Sequence, residues 1–328
     1  MQDKINMSEN YLRDINDADG ILDCYIKYGA VGITNVLSAA EANDTVHDLI
    51  NILHEQGCSD KLTFDDAYTY EYASKAMNRY GVIGKNALFS PTLQHNRYHP
   101  NVKKAYSIVY QRPINELLCQ YDRAAWMRPV IGPEGESWSH FDTPFTSPGL
   151  HLDLYPGVYF EEEYHQSTLD WINDIKYGGV SDFTKENNCK NIKMGRQVQG
   201  ILNLLDNYES NGGFHFVPGG YELTENWYTT QKKRFPVKEL NDRYFFTPKD
   251  YEFCYPQRLP CPAGTLILFD AALPHGTKPN TTNMSRMIQF LRYCPRDIYQ
   301  PKTLAKRRKL IINMCKKFGC ESPDEDVI

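Results

Sequence analysis

Two strands, one turn and two chemically loaded side chains are written into a single span, Gly264 to Tyr293, which reads GTLILFDAALPHGTKPNTTNMSRMIQFLRY. Residues 264–270 follow a Pro-Ala pair and form an apolar run suited to a buried strand, and Pro274, Gly276 and Pro279 then mark a turn. His275 therefore falls at a strand end. Ser285 to Tyr293 reads as a second strand, in which Arg286, Ile288 and Phe290 share a face because side chains alternate with period 2. A guanidinium on a face that looks into a barrel needs an acidic partner, since burying it unpaired costs on the order of several kcal/mol. A protein carboxylate or a bound dicarboxylate would serve. Taken alone, a histidine at a strand end is more often a packed or solvated residue, and a lone strand arginine more often meets a carboxylate of its own chain.

A second cluster upstream changes that balance. In GLHLDLYPG, His151 and Asp153 stand two apart within an alternating run from Leu150 to Leu154, so imidazole and carboxylate project to one side of a strand. With His275 they make three ligands. Two histidines and one carboxylate on one face, with other positions open, form the ligand set of non-haem Fe(II) oxygenases. A His-x-Asp pair is weak evidence by itself, and the chain holds a second copy, His140 and Asp142, in ESWSHFDTPF. That copy lies among Gly, Ser, Thr and Pro, where loop chemistry prevails over alternation. His151 and Asp153 are the preferred pair, and His140 and Asp142 read as loop or pocket-rim residues.

Several segments, in order, resemble the phytanoyl-CoA dioxygenase family of Fe(II)/2-oxoglutarate oxygenases. DADGILDCYIKYGAVGITNVLSAAEANDTVHDLINIL resembles the family's opening helix, strand and helix, and Ser38 with Glu41 forms a capping box for the second helix. LHLDLYPG resembles the segment of the first two metal ligands. GILNLLDNYESNGGFHFVPGGY resembles a strand, an acidic turn, an Asn-Gly pair and a Pro-Gly turn, carried by Asp206, Asn211, Gly212, Pro218 and Gly219. The family usually continues from Pro-Gly with a small residue and histidine, where this chain has Gly220 and Tyr221. The resemblance spans most of residues 15–295, interrupted by long unmatched segments. It implies a mainly β protein with flanking helices (α+β) around a double-stranded β-helix, a cupin-like jelly roll. It also implies Fe(II) held by His151, Asp153 and His275, with Arg286 clamping the distal carboxylate of 2-oxoglutarate and Thr277 adding a hydroxyl. O2 would be the third reactant and hydroxylation of a small molecule the usual outcome, with no catalytic residue beyond the metal ligands. Asp153 argues against halogenation, for which related enzymes carry Ala or Gly at that place. A jelly-roll protein that binds a metal or ligand without turnover is the competing function class.

Length and composition agree with this reading. A chain of 328 residues can bury a sizeable core, and one domain covering 1–328 is the economical arrangement. Within it the helical N-terminal part should cover about 1–125, with strands predominating from about Trp126. The jelly-roll core should run over 126–295, and a basic helix over 301–317 should pack through Leu304, Leu310, Ile311 and Met314 with its charges in solvent. Segments 161–195 and 221–259 interrupt the core and read as lids, rims or partner surfaces. Arg128 in AWMRPVIG reads as an ordinary surface charge, with reach to the cofactor from a preceding strand as the alternative. A formal net charge of −5 does not suit a general nucleic-acid binder. Nine cysteines, odd in number and without C-x-x-C spacing, read as thiols of a cytoplasmic protein. No run approaches the roughly 18 apolar residues of a membrane span.

Overall fold

In the computed structural model, residues 11–56, 76–78, 80–132, 134–137, 149–187, 197–231, 243–247, 250 and 256–323 are described. Two sheets contain the strands. The larger is built from β1 (Leu12–Asp14), β2 (Ala30–Thr34), β3 (Leu117–Gln120), β4 (Ala124–Met127), β6 (Val198–Asn203), β10 (Leu266–Asp270) and β12 (Arg286–Pro295). The smaller comprises β5 (His151–Leu152), β7 (Gly213–Phe216), β8 (Tyr244–Phe245), β9 (Gln257–Arg258) and β11 (His275–Lys278). Strand order in the larger sheet is β1-β2-β10-β6-β12-β3, with β4 also on β12, and in the smaller sheet β8-β5-β11-β7-β9. Among the described strands only the β1–β2 pairing is parallel. This is the double-stranded β-helix expected from the sequence.

Period-2 alternation sorts the larger sheet into two faces. Ile201, Ile267, Phe269 and Ile288 point inward, where they meet Phe214 and Phe216 of the smaller sheet. Their neighbours Leu202, Leu266, Leu268 and Met287 point outward, against four helices. Those helices are α1 (Ala18–Tyr28), α2 (Ala39–Glu55), α3 (Pro91–Tyr98) and α4 (Pro100–Tyr110). They contribute Ile21, Val46, Leu49, Leu93, Val102 and Tyr106 to the same cluster. Each such side chain, fully buried, contributes about 1.5–3 kcal/mol.

Local chemistry fixes where the helices start and stop. The Ser38 hydroxyl accepts from the Glu41 N–H while the Glu41 carboxylate accepts from the Ser38 N–H, the capping box read from the sequence. Asp17 caps α1 by accepting from Gly20 N–H, and Gly29 ends it in the left-handed region at φ 76°. Gly264 is also required. Its φ is +80°, and a Cβ there would stand 2.2 Å from the Leu37 carbonyl oxygen, so only glycine lets the chain enter β10 against the loop before α2.

Strands begin earlier than expected. β3 and the first residues of β4 precede residue 126, and the two strands flank β12 successively, because the run LLCQYDRAAWM is short and apolar enough to fill the sheet edge. Arg128 departs from its reading as a surface charge: it is 3% exposed, and its carbonyl accepts from Asn280 Nδ2. The two interrupting segments fold partly into helices, α6 (Glu163–Asp174) and α7 (Ser181–Glu186) in the first and α8 (Gly220–Gln231) at the start of the second, while the short α5 (Gly157–Phe160) just precedes the first.

The C-terminal helix α9 (Pro301–Phe318) packs through Leu310 and Ile311 as expected, with Lys302, Lys309, Lys316 and Lys317 exposed. Arg307 is different. It is fully buried, and its Nε lies 2.6 Å from Glu186 Oε1 of α7, an oxygen that also accepts from the Tyr177 and Tyr299 hydroxyls. The pair ties the 161–195 segment to the C-terminal helix. Removing one partner strands a buried charge, so Arg307→Leu is expected to lower the unfolding free energy by about 3–5 kcal/mol. Lys309→Leu on the exposed face of the same helix should stay within about 0.5 kcal/mol. Urea denaturation of the two variants checks the contrast.

Candidate metal and co-substrate site

β5 and β11 pair antiparallel with His151 directly opposite His275, and the ring centroids lie 4.7 Å apart. The β5 ladder is only two residues long, so Asp153 sits in the bend after it. The predicted partition holds for Leu150 and Leu152 but not fully for Leu154. All three leucines pack into one apolar cluster, while His151 and Asp153 line a cavity that Leu154 also reaches. His151 Nε2 is 3.5 Å from Asp153 Oδ1, and His275 Nε2 is 3.9 Å from Asp153 Oδ2.

The hydrogen bonds of the two rings suit metal binding. His151 Nδ1 meets the Gly149 carbonyl at 2.9 Å and His275 Nδ1 the Leu273 carbonyl at 2.8 Å. A carbonyl can only accept, so both Nδ1 atoms carry the proton and both Nε2 lone pairs face the carboxylate. Ligand atoms of the three residues lie within 4.8 Å of one another. Metal–ligand bonds of about 2.1 Å put adjacent ligands about 3 Å apart, so small side-chain movements would close the set on one ion. The donor set therefore fits a divalent metal with open positions.

A second triplet, Glu41, His95 and His99, has similar spacing on the surface. There the logic reverses. His99 Nδ1 accepts from Asn101 N–H, which leaves the proton of the neutral ring on Nε2, facing Glu41 at 3.4 Å. That arrangement makes a hydrogen bond, and Glu41 is already held in its capping box. His140 and Asp142 lie outside the described residues.

The cavity beside the triad has a volume of about 340 Å³. Thr277, two residues beyond His275 on the same face, lines it. Arg286 does not line it: the side chain is completely buried, and Nη1 meets the sulfur of Met127, which does line the cavity, at 2.9 Å. Arg286 Nε and Nη2 have no hydrogen-bond partner among the described residues. Burial pushes its pKa down to about 10, so the group remains charged at neutral pH. An orphaned buried guanidinium beside such a cavity fits a carboxylate ligand. The loop before β7 closes the same end. Gly212 sits at φ +83°, where a Cβ would stand 2.6 Å from the Lys278 carbonyl.

Several residues escaped the sequence reading. Gln199 of β6 donates to Asp153 Oδ2 at 3.0 Å, and its own oxygen accepts from Arg292 Nη2. Arg243, from the 221–259 segment, brings Nε to 3.8 Å of Asp153 Oδ1. A signal for two of them existed. Gln199 is a polar residue in an apolar strand, and Arg292 continues the alternate face that begins at Arg286. Arg243 had none, since its segment shows no periodicity.

A jelly roll whose cavity is lined by a His-Asp-His set has the ligand arrangement of a metal centre. Residues 189–288 match the sequence profile of the family described as Phytanoyl-CoA dioxygenase (PhyH), a span that includes His275 and Arg286 but not His151 or Asp153. A Dictyostelium discoideum protein named "Putative phytanoyl-CoA dioxygenase" is 28% identical over 280 residues, covering 82% of this chain and 73% of its own. The crystal structure of GlcNAc Inducible Gene 2 from Candida albicans superposes with TM-score 0.62 at 14% identity, covering 92% of this chain and 70% of that one. Hypothetical protein JW0805 from Escherichia coli gives TM-score 0.59 at 12% identity, over 96% and 79%. The two solved structures establish likeness of fold. The chain is thus similar to the phytanoyl-CoA dioxygenase family over residues 189–288, and its His151, Asp153 and His275 could together hold a metal ion. Among the described residues no helix is long and apolar enough to cross a membrane.

Proposed function

We propose that this protein is a single-domain Fe(II)- and 2-oxoglutarate-dependent dioxygenase that hydroxylates a small molecule, converting 2-oxoglutarate, O2 and substrate R–H into succinate, CO2 and R–OH. The observation that carries the reading is the convergence of the His151 and His275 Nε2 atoms on Asp153, with an orphaned buried arginine eleven residues beyond His275. Bound Fe(II) and 2-oxoglutarate supply O2 activation and the oxidant for the substrate C–H bond.

The chain's own residues bind and orient. His151 and His275 present neutral imidazoles because the Gly149 and Leu273 carbonyls hold their Nδ1 protons. Gln199 orients the Asp153 carboxylate by donating to Oδ2. Arg286 holds the distal carboxylate of 2-oxoglutarate and Thr277 adds a hydroxyl donor. For that contact Met127 moves aside, a change its unbranched thioether chain makes at small cost. Ile201, Phe214 and Phe269 keep the middle of the cavity apolar, which limits water at the reacting carbon. The six free cysteines among the described residues, five of them buried, support a cytoplasmic setting.

Anaerobic addition of Fe(II) and then 2-oxoglutarate is expected to produce a weak visible charge-transfer band, and air should then yield succinate. Absence of both would leave the competing reading, a jelly roll that binds without turnover. His151→Ala, Asp153→Ala and His275→Ala should each abolish stoichiometric Fe(II) binding by calorimetry, while His140→Ala and Glu41→Gln retain it. Loss of binding in His140→Ala with retention in His151→Ala would assign the ligands to the other His-x-Asp pair. Arg286→Gln should raise the 2-oxoglutarate concentration for half-saturation of the band by about tenfold or more, and Thr277→Ala by a few-fold at most. Equal effects of the two substitutions would count against the clamp.

A further inference from the structure

Arg292 stands three alternate positions along β12 from Arg286, on the same face, about 20 Å away by strand rise. Between them on that face lie Ile288, in the inter-sheet core, and Phe290, in the cavity wall. Arg292 also lines the cavity, yet it is 7% exposed. Its Nη1 donates to the Asn187 carbonyl and its Nη2 to Gln199 Oε1, while Nε has no hydrogen-bond partner among the described residues. Both acceptors are neutral. No carboxylate lies within ion-pair distance of it among the described residues.

The surrounding charge points the same way. Among the described residues the cavity is lined by four cations, Arg123, Arg243, Lys278 and Arg292, against two carboxylates, Asp122 and Asp153. Asp122 is engaged by its neighbour Arg123 at 3.4 Å, Arg243 lies 3.8 Å from Asp153, and Asp153 is committed to a divalent metal in the proposed site. A doubly negative co-substrate balances the metal. The end of the cavity away from Arg286 is left with the buried Arg292 guanidinium, which has no carboxylate within ion-pair distance among the described residues and sits in a low-dielectric setting where its charge acts strongly.

We propose that Arg292 is the anchor of a second anion subsite, and that the substrate oxidised here is a small molecule carrying a carboxylate or phosphate group. The inference rests on the Fe(II)/2-oxoglutarate reading and deepens it. β12 then carries one arginine for each anion, Arg286 for the co-substrate and Arg292 for the substrate, with the metal between. The Gln199 link, opposite Arg292 in register, puts the substrate anion on the same side of the cavity as Asp153. A cavity of about 340 Å³, at the low end of the ~300–1,000 Å³ range for small-molecule sites, suits a compact substrate. The competing role for Arg292 is a strut that orients Gln199 and, through it, Asp153.

Calorimetric titration of the full-length protein, loaded anaerobically with Fe(II) and one equivalent of 2-oxoglutarate, separates these roles. The probes are butyrate, inorganic phosphate and the neutral butyramide. One anion or both should bind at least about tenfold more tightly than butyramide, the choice telling carboxylate from phosphate. Arg292→Gln should remove that preference while the charge-transfer band persists, and Arg292→Lys should restore part of it. Anions binding no better than butyramide, or a preference undiminished in Arg292→Gln, would overturn the proposal. So would loss of the band in both Arg292 variants, which would make the residue a strut of the metal centre. Absence of the band in the unsubstituted protein is a different failure, that of the metal reading itself.

Discussion

Both histidines of the triad are locked by the same short device, a hydrogen bond from Nδ1 to the carbonyl two residues earlier. Gly149 serves His151 and Leu273 serves His275. The device is local, but its consequence is not. It fixes tautomer and ring direction together, so the antiparallel pairing of β5 with β11 brings two lone pairs, rather than two protons, to one carboxylate. The surface triplet around Glu41 shows how little separates the two outcomes. There a backbone N–H faces Nδ1 of His99, and the same residue types make an ordinary hydrogen bond.

From that centre the architecture extends along β12. Its inward face must fill the space between two sheets, and apolar side chains do so at Ile288 and Phe290. The ends of the same face carry charge. A β-strand can do this because alternate residues share a face over its whole length, so a ten-residue strand reaches both ends of a cavity that neither short strand of the smaller sheet spans. The apolar middle keeps water out and the charged ends fix orientation. The division of labour between co-substrate and substrate would then be a property of one strand.

The parts of this arrangement visible in sequence are those encoded by local patterns. Alternation from Leu150 to Leu154 placed His151 and Asp153 on one side although the hydrogen-bonded ladder ends at Leu152. The Ser38–Glu41 spacing located the start of α2, and the turn at Pro274–Pro279 located His275. What was not legible depends on contacts between distant segments. Arg128 looked like a surface charge because nothing in AWMRPVIG reveals that the segment passes beneath Asn280. Arg307 looked like part of a basic helix face because its partner Glu186 lies 121 residues away in a segment without periodicity. Gln199 and Arg292 acquire meaning only once β6 and β12 are paired.

The buried arginines also show why charge without a protein partner is informative here. Arg307 meets a carboxylate, and the pair holds helix to helix. Arg97 donates to the Leu88 and Asp122 carbonyls and lies 4.6 Å over the Tyr121 ring, so its charge is dispersed within the protein and away from the cavity. Arg286 has one sulfur, and Arg292 has two neutral oxygens. The fold therefore has ways of satisfying a buried guanidinium, and uses them where the role is structural. Leaving Arg286 and Arg292 without a protein carboxylate beside a cavity would lower the stability of the ligand-free protein. On the proposed reading the same deficit would be recovered when anions bind, because a ligand that binds only the folded state stabilises it in proportion to the logarithm of its concentration over Kd. Stability and ligand affinity would then be set by the same two side chains, one at each end of β12.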